Sequence, residues 1–249
     1  MAAYRYEKTV LLTQTHYQNR DLEEILLGGT QREELYRDMG IDAVLRLIRT
    51  GNFTANSDTK SLIKNFILSL GSGGVNLLPG TFMEYSKTLE DEMAASLPYL
   101  CRSLKGSCDI IFTDTVGGDN PVSRALWKEA DILAVTLNQN KAVIKRCLSQ
   151  YQFPLEKTVF LIGKYQSASV NTVKYLERTY EELKGRLYAV PYHISYMDAL
   201  SEGTCTEFFL KSLAFKNKAE LTEFFSGISR LAELIFNKVP GEGGAGIDT

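Results

Sequence analysis

The residues best suited to chemistry in this 249-residue chain lie between Asp109 and Gly118. Asp114 ends a run of apolar and β-branched residues, and Gly117 and Gly118 follow it closely. A carboxylate at the end of a buried strand is costly unless it faces a cation or hydrogen-bond donors, and glycines let backbone N–H groups approach an anion. The stretch therefore indicates a site for a cation and an anion together.

This pattern has the form of a Walker B strand followed by a D-x-x-G turn. It predicts that Asp114 orients a Mg²⁺-bound water and that the Gly117 amide lies near a terminal phosphate. The alternative is that Asp114 caps the turn or helix that follows it. The motif alone leaves both interpretations open.

Short apolar runs that would position these residues alternate with helical patterns along the chain. The runs are apolar throughout, which is typical of strands buried on both faces, and the segments between them carry apolar residues at helical spacing. The sequence predicts an α/β fold, a doubly wound and mostly parallel sheet with helices on both faces, and ligands bind such sheets beyond the carboxyl ends of the strands. The predicted strands are Thr9 to Thr13, Val75 to Leu78, Asp109 to Asp114, Ile132 to Leu137, Lys157 to Ile162, and Leu187 to Val190.

Domain organisation follows from the absence of internal repeats and linkers. Residues 1–239 are predicted to form a single domain, and the Gly-rich residues 240–249 a flexible tail. Helices are predicted from Asn140 to Tyr151 and from Val170 to Tyr180, each after a strand.

Composition excludes several function classes. The 28 Lys and Arg nearly balance the 30 Asp and Glu, giving a net charge of −2, so no overall field attracts nucleic acid or anionic lipid. Apolar runs are far shorter than the roughly 20 residues that span a bilayer. The opening residues lack the apolar core of a secretory signal, so we expect a cytoplasmic protein. The 4 Cys form no C-x-x-C pair, which argues against a zinc cluster.

Several segments, in their order and spacing, resemble the MinD/ParA family of deviant Walker A ATPases. The likeness runs from Lys8 to about Ser212. The motifs L-L-T-Q-T-H-Y and L-N-Q-N are most similar to the CpaE/TadZ type, which positions pilus-assembly and secretion machinery. The matching segments are Thr9 to Leu12, Asp109 to Gly117, Ala130 to Thr136, Val190 to Tyr192, and Asp198 to Gly203.

The resemblance implies ATP and Mg²⁺ as cofactors and a nucleotide-controlled homodimer that recruits a protein partner. It implies that Asp114 holds the metal-bound water. It also implies that Asp114 and Gln14 are the catalytic residues, because Gln14 aligns with an acidic residue of the family. Gly163 aligns with the base-reading Asn, and Pro191 and Tyr192 would flank the base. Tyr192 has the alternative of being simply half-buried at a strand end.

The departures from the family concern the phosphate site. The family opens with a strand, a lysine-bearing glycine loop and a helix, whereas only Met1 to Lys8 precede the first predicted strand. We expect either an upstream start or a natural loss, with the strand from Thr9 to Thr13 missing a neighbour. No G-K-[ST] motif occurs, and Gly71 to Gly74 has the pattern of a turn. A neutral Gln14 orients water but cannot accept its proton, so a non-catalytic scaffold is the alternative function.

Three further features have two interpretations each. The amphipathic segment Leu221 to Val239 has mixed charges on its polar face, which favours packing on the domain over a membrane anchor. A helix face with Lys141, Lys145 and Arg146 is either solvated or a contact for acidic partners. His16 and His193 are either polar residues with ordinary hydrogen bonds or metal ligands. Two isolated histidines favour the first interpretation, because a metal site needs more ligands.

Overall fold

The computed structural model describes residues 3, 6–17, 19, 21–27, 38–51, 57–71, 73–214 and 219–238. The chain divides into two compact units. The first unit comprises Met1–Glu129 and Ser195–Leu210, and the second comprises Ala130–Ile194 and Lys211–Thr249. Each unit contains one β-sheet.

The sheet of the first unit has the strand order β2-β3-β1-β4. Strand β1 (Val10–Gln14) runs parallel to both β3 (Val75–Leu78) and β4 (Ile110–Asp114). The expectation that this first strand lacks a neighbour is therefore wrong, and the described strands place β2 and β4 at the two edges of the sheet. The sequence did not predict β2 (Leu68–Ser69), which pairs antiparallel with β3.

Glycines make the sharp connection from β2 to β3. Gly71 and Gly74 have φ values of 71° and 73°, a region that only glycine adopts without steric cost. The predicted turn is thus confirmed for these two residues, which lie next to strands and not at a helix start.

Helices of the first unit pack an apolar core on one face of its sheet. Leu11, Leu78 and Ile111 share that face because they alternate with residues pointing the other way. The longest of these helices carries the N-cap Ser86, whose hydroxyl accepts a hydrogen bond from Leu89 N at 3.1 Å. The helices are α1 (Asp21–Leu27), α2 (Gly40–Arg49), α3 (Ser57–Lys64), α4 (Lys87–Leu104) and α5 (Pro121–Glu129).

The sheet of the second unit has the order β5-β6-β7, and its strands are all parallel. These strands are β5 (Leu133–Leu137), β6 (Thr158–Tyr165) and β7 (Leu187–Pro191). Ile144, Phe160, Ile162, Leu176 and Leu183 are fully buried in its core. The helices of this unit are α6 (Lys141–Gln150), α7 (Val173–Thr179) and α10 (Ala219–Lys238), with a 3-10 turn at Glu181–Leu183. Helices α8 (Ile194–Ser201) and α9 (Cys205–Ala214) lie mainly in the first unit.

Helix α10 packs closely on β7. A Cβ atom placed on Gly227 would lie 2.8 Å from Pro191 Cδ and 3.3 Å from Ala189 O, so the helix approaches the strand through a residue without a side chain. One turn earlier, Phe224 is 1% exposed and its ring lies 5.3 Å from that of His193. The predicted packing of the C-terminal helix on the protein body is confirmed at these residues.

The α/β fold class with mainly parallel strands is confirmed, and each predicted strand overlaps an observed one. The prediction that the strands are buried on both faces is wrong for β4 and β5, because alternate residues of these strands, such as the 40% exposed Phe112, remain in solvent. The interpretation of residues 1–239 as one domain stays a prediction, and the predicted tail lies outside the described residues. None of the described helices is long and apolar enough to cross a membrane.

Candidate functional site

The carboxyl ends of β1 and β4 bring two predicted site residues together. In the parallel register Gln14 is the partner of Asp114, and Thr15 N continues the ladder by donating to Asp114 O at 2.8 Å. Val116 N then donates to Thr15 Oγ1 at 3.1 Å. The turn after β4 is thereby anchored to the chain after β1.

Asp114 carries an exposed carboxylate. Its side chain is 65% exposed, and the one ion pair described for it is with His16, whose Nε2 lies 3.5 Å from Oδ2. That separation is within ion-pair range, but Nε2 of His16 has no hydrogen-bond partner among the described residues. Asp114 therefore keeps free acceptor capacity, as a cation ligand requires.

The glycines after Asp114 form an open turn. A Cβ atom added to Gly117 or Gly118 would meet no heavy atom within 4 Å, and Gly118 has a φ of 110°. The residue that caps α5 is Asn120, whose Oδ1 accepts from Ser123 N at 2.9 Å. The alternative that Asp114 caps the following helix is therefore wrong, and the turn leaves room for a ligand beside its backbone.

Gln14 is not open to solvent. It is 1% exposed, and its Nε2 donates to Oε2 of Glu23 in α1. Glu23 in turn accepts from Gly80 N through Oε1 at 2.6 Å. A Cβ on Gly80 would lie 3.0 Å from Gln14 Cγ, so these three residues pack tightly after β1 and β3. In this arrangement Gln14 positions its neighbours, and its predicted role in orienting water stays a prediction.

A second buried carboxylate supports the loop after β3. Asp42 in α2 is 3% exposed, and its two oxygens accept from Thr81 Oγ1 at 2.6 Å and from Phe82 N at 2.8 Å. The start of α2 also lies very close to this loop, because a Cβ atom placed on Gly40 would collide with Pro79 O. The sequence did not identify Glu23 and Asp42 as site residues, because no pattern in the neighbouring residues distinguishes a buried carboxylate from a solvated one.

Tyr17 borders the same edge of the first unit. Its ring packs edge-on against Tyr85 at 5.2 Å, and its hydroxyl is buried without a hydrogen bond to any described residue. Burial, reinforced by the Glu90 carboxylate and Tyr85, raises the pKa of Tyr17 to about 12. Lys87 pairs with Glu90 at 2.8 Å and limits that effect. Tyr17 therefore stays neutral across the physiological range.

The predicted base-flanking residues lie in the second unit. Gly163 is inside β6, which runs three residues beyond the predicted end, and a Cβ there would meet Thr136 Cγ2 at an ordinary 3.6 Å. Pro191 pairs with Tyr165 at the end of β7. Tyr192 N donates to Tyr165 O at 3.0 Å, and the Tyr192 side chain is 42% exposed. Tyr192 is thus exposed to solvent, whereas helix α10 lies close to Pro191.

A direct metal cluster is not part of this arrangement. Within the ranges that the structure describes, no group of three or more His, Cys, Asp or Glu side chains could hold a metal ion. The predicted Mg²⁺ role of Asp114, which acts through a bound water, does not need such a cluster.

Comparison with solved structures identifies the fold. MinD of Aquifex aeolicus, in a complex with MinC, matches with a TM-score of 0.61 and 14% identity, covering 98% of this chain and 90% of that one. Pyrococcus horikoshii MinD complexed with Mg-ADP matches with a TM-score of 0.60 and 14% identity, covering 93% and 86%. Apo McdA of Cyanthece gives 0.60 and 15%, covering 91% and 88%.

This chain therefore has the fold of the MinD/ParA ATPases, as its motifs predicted. No protein-family model matches it. No curated protein sequence matches it either. The CpaE/TadZ subgroup stays a prediction.

Proposed function

We propose that this protein is a MinD/ParA-like positioning ATPase, which binds ATP with Mg²⁺ and uses the nucleotide to control a homodimer that recruits a partner assembly. The observation that carries the proposal is the exposed Asp114 carboxylate beside the open turn at Gly117 and Gly118. The Mg-ADP complex of the Pyrococcus horikoshii protein, which shares the fold, supports the choice of ligand.

The residues present fit this ligand in part. Asp114 offers oxygen to a hydrated Mg²⁺, which neutralises phosphate charge when bound. The Gly117 amide of the same unit offers a donor to phosphate. Gly163, Pro191 and Tyr192 belong to the second unit, and their role beside the base rests on the resemblance alone. The chain has no G-K-[ST] lysine, so the phosphates lack their strongest charge-assisted hydrogen bond. We therefore expect weak binding, with a dissociation constant of about 1 mM or higher.

One observation favours a second candidate, a scaffold that has the fold but does not turn over nucleotide. Gln14 occupies the position of a family carboxylate, and its amide nitrogen is engaged by Glu23 in a buried cluster. A neutral amide cannot take the proton of an attacking water, and the bond to Glu23 also removes its nitrogen from the task of orienting that water. Binding without hydrolysis would then remain.

The proposed partner is a protein of an assembly or secretion apparatus, such as pilus machinery. The motifs L-L-T-Q-T-H-Y and L-N-Q-N support this choice, and the MinC complex of the Aquifex aeolicus protein illustrates partner binding on this fold. The proposed location is the cytoplasm, reaching the membrane only through that partner.

Titration of the chain with Mg-ATP, followed by ³¹P NMR and by phosphate release, tests the proposal. Asp114→Asn should weaken Mg-dependent binding about tenfold, which corresponds to about 1.4 kcal/mol. The matched control is Asp131→Asn, because Asp131 is also exposed but precedes β5. Binding without phosphate release would select the scaffold. No binding at about 10 mM ATP, or equal loss in both variants, would refute the nucleotide site.

A further inference from the structure

Two neighbouring helices of the second unit present a set of cations to solvent. Lys141 and Lys145 lie one turn apart on α6, and Lys174 and Arg178 lie one turn apart on α7. All four residues are exposed. Together with Tyr175 they form what we call the basic strip.

Tyr175 joins the two halves of the basic strip. Lys141 Nζ lies 5.4 Å from the centre of the Tyr175 ring and donates to its hydroxyl at 3.3 Å. The Tyr180 hydroxyl also donates to Lys141 O at 3.3 Å, which fixes the start of α6 against α7. The cations of the two helices therefore belong to one continuous surface.

The positive charge of the strip is not neutralised locally. Within the part of the chain that the structure describes, Lys145, Lys174 and Arg178 form no ion pair with a carboxylate. The sequence of α6 contains no acidic residue, and α7 contains only Glu177, which accepts from Gly185 N at 2.9 Å. The strip is therefore positively charged, although the net charge of the whole chain is −2.

An exposed apolar residue precedes α7 in the sequence. Val170 is 85% exposed and lies two residues before Thr172, the N-cap of α7. Tyr175 is 41% exposed. Covering an aliphatic side chain that is exposed to water is favourable, so a partner that buries Val170 would gain binding free energy.

We propose that the basic strip binds an acidic segment of a partner protein, with an apolar side chain of that segment covering Val170. The 10 residues of α6 extend over about 15 Å, which an extended segment of about five residues matches. Carboxylates placed along it would pair with the lysines and Arg178. A protein segment is favoured over nucleic acid because a protein supplies both carboxylates for the strip and an aliphatic side chain for Val170.

This proposal stands apart from the nucleotide site. It uses neither Asp114, the open turn nor the residues assigned to the base, so it can hold even if ATP does not bind. Its experiment accordingly needs no nucleotide.

The probe is a fluorescein-labelled peptide of about twelve residues that repeats Glu-Asp-Leu, titrated with the full chain and followed by anisotropy. The variant Lys145→Glu/Arg178→Glu should bind it at least about tenfold more weakly. The matched control is Lys64→Glu/Arg230→Glu, which makes the same change of charge at exposed positions outside the strip. It should change the affinity less than about twofold.

A second variant tests the apolar contact separately. Val170→Ser should weaken binding of the Leu-containing peptide about threefold to tenfold and leave binding of a Glu-Asp-Ser peptide unchanged. Equal losses in the strip variant and its control, or no peptide binding at millimolar protein, would overturn the proposal. Tighter strip-dependent binding of a DNA duplex or of phosphatidylglycerol vesicles would replace the acidic protein segment by those partners.

Discussion

At the residue scale, the protein contains the buried carboxylates of Glu23 and Asp42 besides the exposed carboxylate of Asp114. Glu23 and Asp42 are nearly inaccessible, yet every oxygen accepts a hydrogen bond from an amide or a hydroxyl. Such bonds offset the cost of removing a carboxylate from water. Asp114 differs because its side chain remains mostly in solvent. This contrast separates residues that hold the site from the one proposed to contact a ligand.

The first prediction concerns Glu23. Glu23→Ala should lower the free energy of unfolding by about 2–3 kcal/mol, because Gly80 N and the Gln14 amide would both lose a charged acceptor in a buried place. The control Glu24→Ala changes an exposed residue of the same helix and should cost about 0.5 kcal/mol or less. Urea denaturation measures both. Equal effects would contradict the buried contact.

The second prediction concerns pH. The folded-state pKa of Tyr17 is raised from 10.0 to about 12, so the folded state holds a proton that the unfolded state releases. The resulting contribution to stability is complete below pH 10.0 and is lost as the pH rises through about 12.

Tyr17→Phe removes this titrating group, together with a buried hydroxyl that has no hydrogen bond in the described structure. The variant should be at least as stable as the parent at pH 7, and its stability should fall less steeply with rising pH over that alkaline range. Unfolding curves at a series of pH values compare the two proteins. Identical slopes would show that Tyr17 titrates normally.

At the element scale, α10 lies close to β7 because Gly227 has no side chain to separate them. Phe224 fills the space one turn before Gly227, and the mixed-charge face stays outward, with Glu223, Arg230 and Glu233 exposed. A helix that reads as amphipathic from its sequence thus uses its apolar face within its own unit. Close approach at glycine lets backbone and proline atoms meet directly.

The third prediction tests this packing. Gly227→Ala should lower stability by about 1–3 kcal/mol, because its Cβ would collide with Pro191 Cδ, although alanine alone would favour the helix by up to about 1 kcal/mol. Ser226→Ala at the exposed neighbouring position is the control, and it should be neutral or slightly stabilising. Thermal unfolding distinguishes them. A stabilising Gly227→Ala would mean that the helix does not contact β7 closely.

At the scale of the whole molecule, charge and hydrophobicity limit the surfaces with which this protein can associate. Its net charge is −2, and the described helices include none that could cross a membrane. Four of its 28 Lys and Arg residues lie together in the basic strip of the second unit. Recruitment through specific protein contacts suits such a distribution better than attraction to any polyanionic surface.

The fourth prediction follows from that distribution and from α10. The intact chain should not sediment with phosphatidylglycerol vesicles, because the face bearing Phe224 is already buried and each basic residue near anionic lipid contributes only about 1 kcal/mol. Removal of residues 219–249 should lower the melting temperature, since it uncovers the residues under α10. Sedimentation that this deletion abolishes without changing the melting temperature would make α10 a membrane anchor.

The sequence by itself determined the strands, the parallel α/β class and the place of Asp114 at a strand end. These features depend on local patterns: an unbroken apolar run such as the one before Asp114 predicts a strand, and a following glycine predicts a turn. The MinD/ParA fold was predicted separately, from the resemblance of several motifs in their order and spacing to that family. The local patterns did not predict β2, which is only two residues long and pairs antiparallel with β3.

Only the tertiary structure decided which side chains meet. Glu23 bonds to Gly80 across 57 positions of sequence, and Val116 bonds to Thr15 across 101. Likewise, the contact between Lys141 and Tyr175 turns two ordinary helix faces into one basic strip. Residue spacing records the period of a single element, whereas these contacts depend on how separate elements pack. Spacing thus indicates the candidate ligand residue Asp114, but only packing reveals that Gln14 is buried and already bonded.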